Sequence, residues 1–203
     1  MESSLNVIPV VYNGISFRSK IEAKNALVWD DLGIRWIYEP KRLKVAENTI
    51  YIPDFDLPDF SFFVEIKGFE FDQKQDRKVR LACKMKPILV LIGGLPSITR
   101  LVTPETHALP NISFAYIFDS ALSAPIKYSN VWLSECLYCG SIGFCIEDFS
   151  TTHLCECPSL YKNCYDAKVS DRILDAYKHG YHFDFALAPA RSIPFPDVPI
   201  EHV

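Results

Sequence analysis

Pro53-Asp54 is followed, after ten intervening residues, by Glu65-Ile66-Lys67-Gly68. Two carboxylates and a lysine are the side chains that metal-dependent hydrolysis of a phosphodiester requires. Hard oxygen ligands suit Mg²⁺, which neutralises phosphoryl charge and acidifies an attacking water, and a lysine adds a point charge where negative charge develops. The two-residue period of a strand over Ser61–Lys67 puts Phe62, Val64 and Ile66 on one face and Phe63, Glu65 and Lys67 on the other. Tyr51–Leu57 reads as an adjacent short strand, with Pro53 near its start, so Asp54 is expected across from Glu65. The expected metal set is Asp54 and Glu65 with Mg²⁺ or Mn²⁺, and Lys67 assists water activation or stabilises the transition state.

A bland arrangement competes with this one. Glu-x-Lys on a strand is commonly a solvated ion pair, and Asp54, Asp56 or Asp59 near prolines can be turn residues. Glu22 lies in the segment from Phe17 to Leu32, where Ile21, Leu27, Val28 and Leu32 recur at helical spacing and Ser16 or Ser19 can cap, so by itself it reads as an ordinary helix residue. Glu39 reads as an ion-pair partner of Lys41 or Arg42, or as an aid to metal or water positioning.

The first half of the chain, through the segment near Pro96, resembles the PD-(D/E)xK superfamily of restriction-endonuclease-like nucleases. Phe17-Arg18-Ser19-Lys20-Ile21-Glu22-Ala23-Lys24 resembles the first helix of the branch holding phage Holliday-junction resolvases, TnsA-type transposon end nucleases and small phage and prophage nucleases. Leu32–Pro40 resembles the following strand, and Tyr51–Phe55 with Phe63–Gly68 the metal-binding hairpin. The resemblance implies an α/β fold with a mixed central sheet flanked by helices, Glu22 as a helix-borne site acid, Asp54 and Glu65 as metal ligands, and Lys67 as catalytic lysine. Arg18 and Lys20 beside Glu22, and Lys74 and Lys78 in a later polar stretch, are candidates for phosphates flanking the cleaved bond.

The remaining elements must position that hairpin. Gln73–Lys86 reads as a helix, ended by Pro87, and Ile88–Ile92, apolar without alternation, as a buried parallel strand. Gly93-Gly94-Leu95-Pro96 is a turn, Ile112–Phe118 a late edge strand, and Asp171–Tyr181 a helix with Ile173, Leu174 and Tyr177 on its apolar side. The tail from Pro189 to Val203 reads as irregular.

Seven cysteines form a second signal. Cys83 reads as a small buried apolar residue; the other six crowd between positions 136 and 164. Cys136-x₂-Cys139-Gly140 followed by Cys155-x-Cys157 suits a structural Zn²⁺ site formed by Cys136, Cys139, Cys155 and Cys157, with His153 or Cys164 as a substitute for one ligand. A redox Cys-x-x-Cys competes but lacks the strand-to-helix start that would lower a thiolate pKa. The organisation expected is a nuclease domain over residues 1–128, a zinc-binding module with a helix over 129–188, and a tail over 189–203.

Composition narrows the class. With 203 residues, 49% hydrophobic and 23% charged, the chain has the make-up of a globular protein rather than a disordered one. No apolar run is long enough to cross a bilayer and no leader pattern follows Met1, so a cytoplasmic protein is expected. The net charge of −4 argues against a basic coat. Residues 1–90 carry 14 Lys or Arg against 13 Asp or Glu, whereas 91–203 carry 7 against 12, which places the expected DNA face in the first part.

The function expected is a Mg²⁺-dependent DNA endonuclease of a phage or mobile element, acting on duplex or branched DNA, with a homodimer favoured if both strands are cut. The alternative is a DNA-binding or scaffold component that keeps the fold without cleaving alone, its zinc module holding a protein partner. RNA stays open as a substrate.

Overall fold

In the computed structural model, described for residues 8–68, 72–95, 114–118, 126–128, 131–146, 167–188 and 200–202, the hairpin that carries Asp54 and Glu65 sits inside a larger sheet. The elements run β1 (Val10–Tyr12), β2 (Ile15–Phe17), α1 (Lys20–Leu32), β3 (Ile37–Tyr38), β4 (Arg42–Ala46), β5 (Thr49–Tyr51), β6 (Phe55–Leu57) and β7 (Phe62–Lys67). They continue with α2 (Gln73–Ala82), β8 (Ile88–Ile92), β9 (Phe114–Phe118), β10 (Ile126–Tyr128), β11 (Val131–Cys136) and β12 (Ile142–Ile146). The last are β13 (Ala167–Lys168), α3 (Asp171–His182), β14 (Ala186–Leu187) and β15 (Ile200–His202). The fold is mixed α/β: among the described residues three α-helices accompany several sheets, and no helix is long and apolar enough to cross a membrane.

The central sheet has the order β10-β9-β8-β7-β6-β3. β6 and β7 pair antiparallel through a 3-10 turn at Pro58–Phe60, where Ser61 takes the left-handed conformation (φ 56°). β7 and β8 are parallel, joined by the α2 crossover, with Glu65 opposite Val90 and Lys67 opposite Ile92. β8 is apolar throughout because both its faces are covered. Leu89 and Leu91 belong to the core that contains α1, while Ile88, Val90 and Ile92 pack with Val79 and Ala82 of α2. The two-residue period of β7 holds in the same way. Val64 and Ile66 face the α1 side and Phe63 faces α2, which leaves Glu65 and Lys67 on the α2 side.

α1 begins where its side chains can satisfy its first N–H groups. Ser19 caps it, its hydroxyl accepting from Glu22 N (3.3 Å) and donating to Glu22 Oε1 (2.8 Å). The helix therefore starts at Lys20, and Phe17, expected in the helix, ends β2 instead. Gly33 closes it with φ 72°, its N–H bonding Asp30 O, and Ile34 N–H returns to Trp29 O.

Five other expectations change. The strand expected over Tyr51–Leu57 is split: Tyr51 ends β5 in a separate sheet with β4, and Phe55 starts β6 in the central one. The chain passes between the sheets at Ile52-Pro53-Asp54, where proline has no N–H to give a ladder. The segment Leu32–Pro40 contributes only the two-residue β3, ended by Glu39 at φ 44°. α2 stops at Ala82 rather than Lys86, since Pro87 disfavours helical backbone just before it. β9 is an interior strand, flanked by β8 and β10, and the tail is not wholly irregular, because β15 runs parallel to β4 with Glu201 opposite Leu43.

The cysteine-rich part shares a core with the first part. β11, β12 and β13 form an antiparallel sheet, and Val131, Leu133 and Phe144 join Ile173, Ala176 and Tyr177 of α3 in the same apolar cluster as Leu27, Val28 and Trp29 of α1.

Candidate functional site

Glu65 is set by β7 on the α2 face, next to the end of the strand, and is only 6% exposed. Its Oε2 accepts from the buried Tyr51 hydroxyl at 2.7 Å, and its Oε1 pairs with Lys67 Nζ at 2.6 Å. Asp54 lies just before β6, where the antiparallel register of Phe55 with Val64 carries it to β7, and its Oδ2 accepts the Ile66 N–H at 2.7 Å. Glu22 reaches from the first turn of α1, with Oε2 accepting from the Tyr38 hydroxyl at 2.6 Å. That hydroxyl in turn accepts Arg18 N–H at 3.1 Å.

The electrostatics tie the four residues together. Burial holds the Asp54 carboxyl well above the ordinary aspartate range; the charges of Glu65 and Glu22 add to the elevation, while Lys67 and the Ile66 N–H oppose it. Burial alone would lower the Lys67 pKa, but Glu65, Asp54 and Glu22 together outweigh it and the net direction is upward. Lys67 is therefore held as a cation, suited to stabilising charge rather than to taking a proton. Tyr51 and Tyr38 are pushed up by burial and by the carboxylates they bond, so both stay as O–H donors.

The donor set fits a hard divalent cation. Among the described residues no group of three or more His, Cys, Asp or Glu side chains gathers as a metal cage. Magnesium, however, is ordinarily held by one or two carboxylates with waters completing the shell. Asp54 spends Oδ2 on a backbone N–H, and its Oδ1 makes no hydrogen bond to the described residues. A carboxyl whose ionisation is suppressed by a neighbouring carboxylate is a site where a cation replaces a proton.

Beside Glu65 a cleft of about 380 Å³ opens between α2 and the β4–β5 hairpin. Besides Tyr51 and Glu65, it is lined by the polar Arg18, Arg42, Gln75 and Lys78 and by the apolar Ile50, Ile52 and Val79. Of the expected phosphate contacts, Arg18 and Lys78 thus line the cleft, whereas Lys20 and Lys74 are exposed and are not among its lining residues. Arg18 Nε also pairs at 2.5 Å with Glu39, which is 5% exposed, so Glu39 bonds neither Lys41 nor Arg42. Lys24 lies over the Tyr181 ring at 5.0 Å.

Tyr51, Tyr38, Arg42 and Gln75 are the residues that strand and helix periods did not single out. Gln75 stands four residues before the buried Val79, so a helix face was available as a signal. Nothing local placed Tyr51 or Arg42 beside Glu65, since the β4–β5 hairpin folds over α2 through contacts distant in sequence.

Cys136 and Cys139 sit on the turn joining β11 to β12. Gly140 takes φ 73° there, its N–H bonding Cys136 O at 3.0 Å, while Cys136 N–H bonds Ser141 O at 2.9 Å. Cys136 is buried and Cys139 exposed. Cys145 is wholly buried on β12, its sulfur 2.9 Å from Ser134 Oγ, and Cys83 is buried at the C-terminal end of α2. Cys155 and Cys157, with His153 and Cys164, lie outside the described residues. His179 bonds Asp31 at 2.7 Å, far from a catalytic grouping.

No family model, no curated protein and no solved structure matches the chain, so the site must be read from its own geometry.

Proposed function

We propose that this chain is a Mg²⁺- or Mn²⁺-dependent DNA endonuclease on a restriction-endonuclease-like core. Asp54 and Glu65 hold the metal, Lys67 is the catalytic lysine and Glu22 an additional site acid. The observation that carries the reading is the convergence of Asp54, Glu65 and Lys67 at one end of the β6–β7 hairpin, with the Asp54 carboxyl raised by its buried acidic surroundings. When bound, the metal supplies charge neutralisation at the phosphoryl oxygens and a more acidic attacking water.

The chain's own residues do the rest. The Ile66 N–H and the Tyr51 hydroxyl orient the Asp54 and Glu65 carboxylates, as outer hydrogen bonds do for metal ligands. Lys67, kept protonated by the acids around it, donates to a non-bridging phosphoryl oxygen as negative charge builds there. Glu22, anchored by Tyr38 and Ser19, adds to the negative field that draws the cation in. The cations of the neighbouring cleft receive strand phosphates.

The Cys136–Cys139 turn belongs to the same proposal as half of a structural Zn²⁺ site, completed by Cys155 and Cys157. The tight turn that Gly140 makes in left-handed conformation directly after the second cysteine, which keeps the two cysteines on one turn, supports that reading.

The test is incubation with end-labelled single-stranded, duplex, flap and four-way-junction DNA, with Mg²⁺, with Mn²⁺ and with EDTA. The reading requires metal-dependent internal cuts leaving a 5′-phosphate on at least one substrate. DNA binding without cleavage of any substrate overturns it in favour of a non-cleaving scaffold.

A further inference from the structure

The cleft that Glu65 and Tyr51 help to line also gathers polar and apolar side chains from α2 and from the β4–β5 hairpin. Of its cations, Arg42 and Lys78 form no ion pair among the described residues, while the charge of Arg18 is shared with Glu39. Arg42 Nε and Gln75 Oε1 are both shielded from solvent, and neither has a hydrogen-bond partner among the described residues. One is a donor and the other an acceptor, a deficit removed by a ligand that offers an anion and a polar edge together. The same lining includes Ile50, which is 36% exposed, and half-buried Ile52. A volume of about 380 Å³ lies within the range of small-ligand clefts, about 300–1,000 Å³.

Free phosphate needs no apolar lining, and a continuous duplex keeps its base faces stacked inside. An unpaired nucleotide presents an anion, a hydrogen-bonding edge and an apolar face at once. We propose that this cleft binds an unpaired nucleotide of the cleaved strand next to the scissile phosphate. Its phosphate lies against Arg42 and Lys78, its base edge meets Gln75, and its sugar or base face covers Ile50 and Ile52. The inference rests on the reading of Asp54, Glu65 and Lys67 as the cleavage centre, and it makes single strands, flaps or frayed junction arms the substrate class.

The experiment is fluorescence anisotropy of the full chain with a dye-labelled single-stranded oligonucleotide and with its duplex, in EDTA, across a salt series. Wild type is compared with Arg42→Gln, Lys78→Gln and Ile50→Ala, each checked for folding by circular dichroism. The single strand is expected to bind more tightly than the duplex. Arg42→Gln and Lys78→Gln are each expected to lower the slope of log affinity against log salt by about 0.7 and to weaken binding roughly 5- to 10-fold. Ile50→Ala is expected to weaken single-strand binding several-fold with the slope unchanged. Unaltered slopes in both charge variants, or tighter binding of duplex, overturn the proposal. Because the readout uses no metal, the two readings fail separately. Metal-dependent cleavage that is indifferent to Arg42→Gln and Lys78→Gln removes the cleft and keeps the centre. Cleft-dependent binding with no cleavage keeps the cleft and removes the centre.

Discussion

Asp54 is the residue at which stability and the proposed function pull in opposite directions. Its folded pKa is raised, so the folded chain holds that proton more tightly than the unfolded chain does. The resulting stabilisation is complete below the unfolded value, about 3.9, and is lost as pH rises through the elevated folded value. Asp54→Asn keeps an oxygen for the Ile66 N–H and removes the charge that burial and Glu65 disfavour. The metal-free variant is therefore expected to melt higher at neutral pH, by roughly 2–4 °C for each kcal/mol gained, and to show a flatter pH dependence in thermal melts. Tyr51→Phe should act through Glu65 alone: it removes the hydroxyl that fixes Oε2, and metal affinity measured by titration calorimetry should fall about 10- to 100-fold. Unchanged affinity would show that the hydroxyl does not orient a ligand. Asp54, Glu65 and Lys67 were legible in the sequence because a two-residue period and a short hairpin are local properties. Tyr51 and Arg42 were not, because their place beside Glu65 depends on one hairpin folding over a helix further along the chain.

At the scale of elements, Asp54 is held in place by its neighbour. Phe55, fully buried at the start of β6, meets the rings of Trp29, Tyr38, Trp36 and Phe17 at centroid distances of 4.9, 5.2, 5.7 and 6.1 Å. Phe55→Ala is expected to cost about 3–5 kcal/mol in denaturant unfolding, a large share of a typical domain's stability. A loss under 1 kcal/mol would mean that the ring cluster does not anchor the hairpin. The β11–β12 turn yields a second prediction. If Cys136 and Cys139 bind zinc, Cys136→Ser should abolish zinc stoichiometry by elemental analysis. It should also lower the melting temperature, since Leu133 and Phe144 beside that turn belong to the core of α1 and α3. Zinc retained at one equivalent would exclude Cys136 as a ligand. α1, α2, α3 and β8 could be read from periodicity to within a few residues. The short β3, the split at Pro53, the interior position of β9 and the pairing of β15 with β4 could not, since each is decided by a partner strand elsewhere in the chain.

Over the whole molecule, the balance of charge is nearly even in the first 90 residues, with 14 basic and 13 acidic side chains, so the proposed binding of nucleic acid cannot rest on a general positive field. It must come from placement, and Arg18, Arg42 and Lys78 are drawn into one cleft next to three acids. The mixed α/β class was legible because helical and strand periods alternate along the first half. The shared core of α1, α3 and β11 was not, because composition marks the cysteine-rich segment as distinct while its apolar side chains pack on the rest. The most direct test of the account is single-turnover cleavage of a labelled flap substrate by wild type, Asp54→Asn and Lys67→Met at saturating Mg²⁺, with all three shown to be folded. Cutting by wild type and a loss of about 10³-fold or more in both variants is the predicted result, the scale expected when a group acting on the reacting phosphate is removed. Equal cutting by all three, or none by wild type, would contradict the assignment of Asp54, Glu65 and Lys67 as a phosphodiesterase centre.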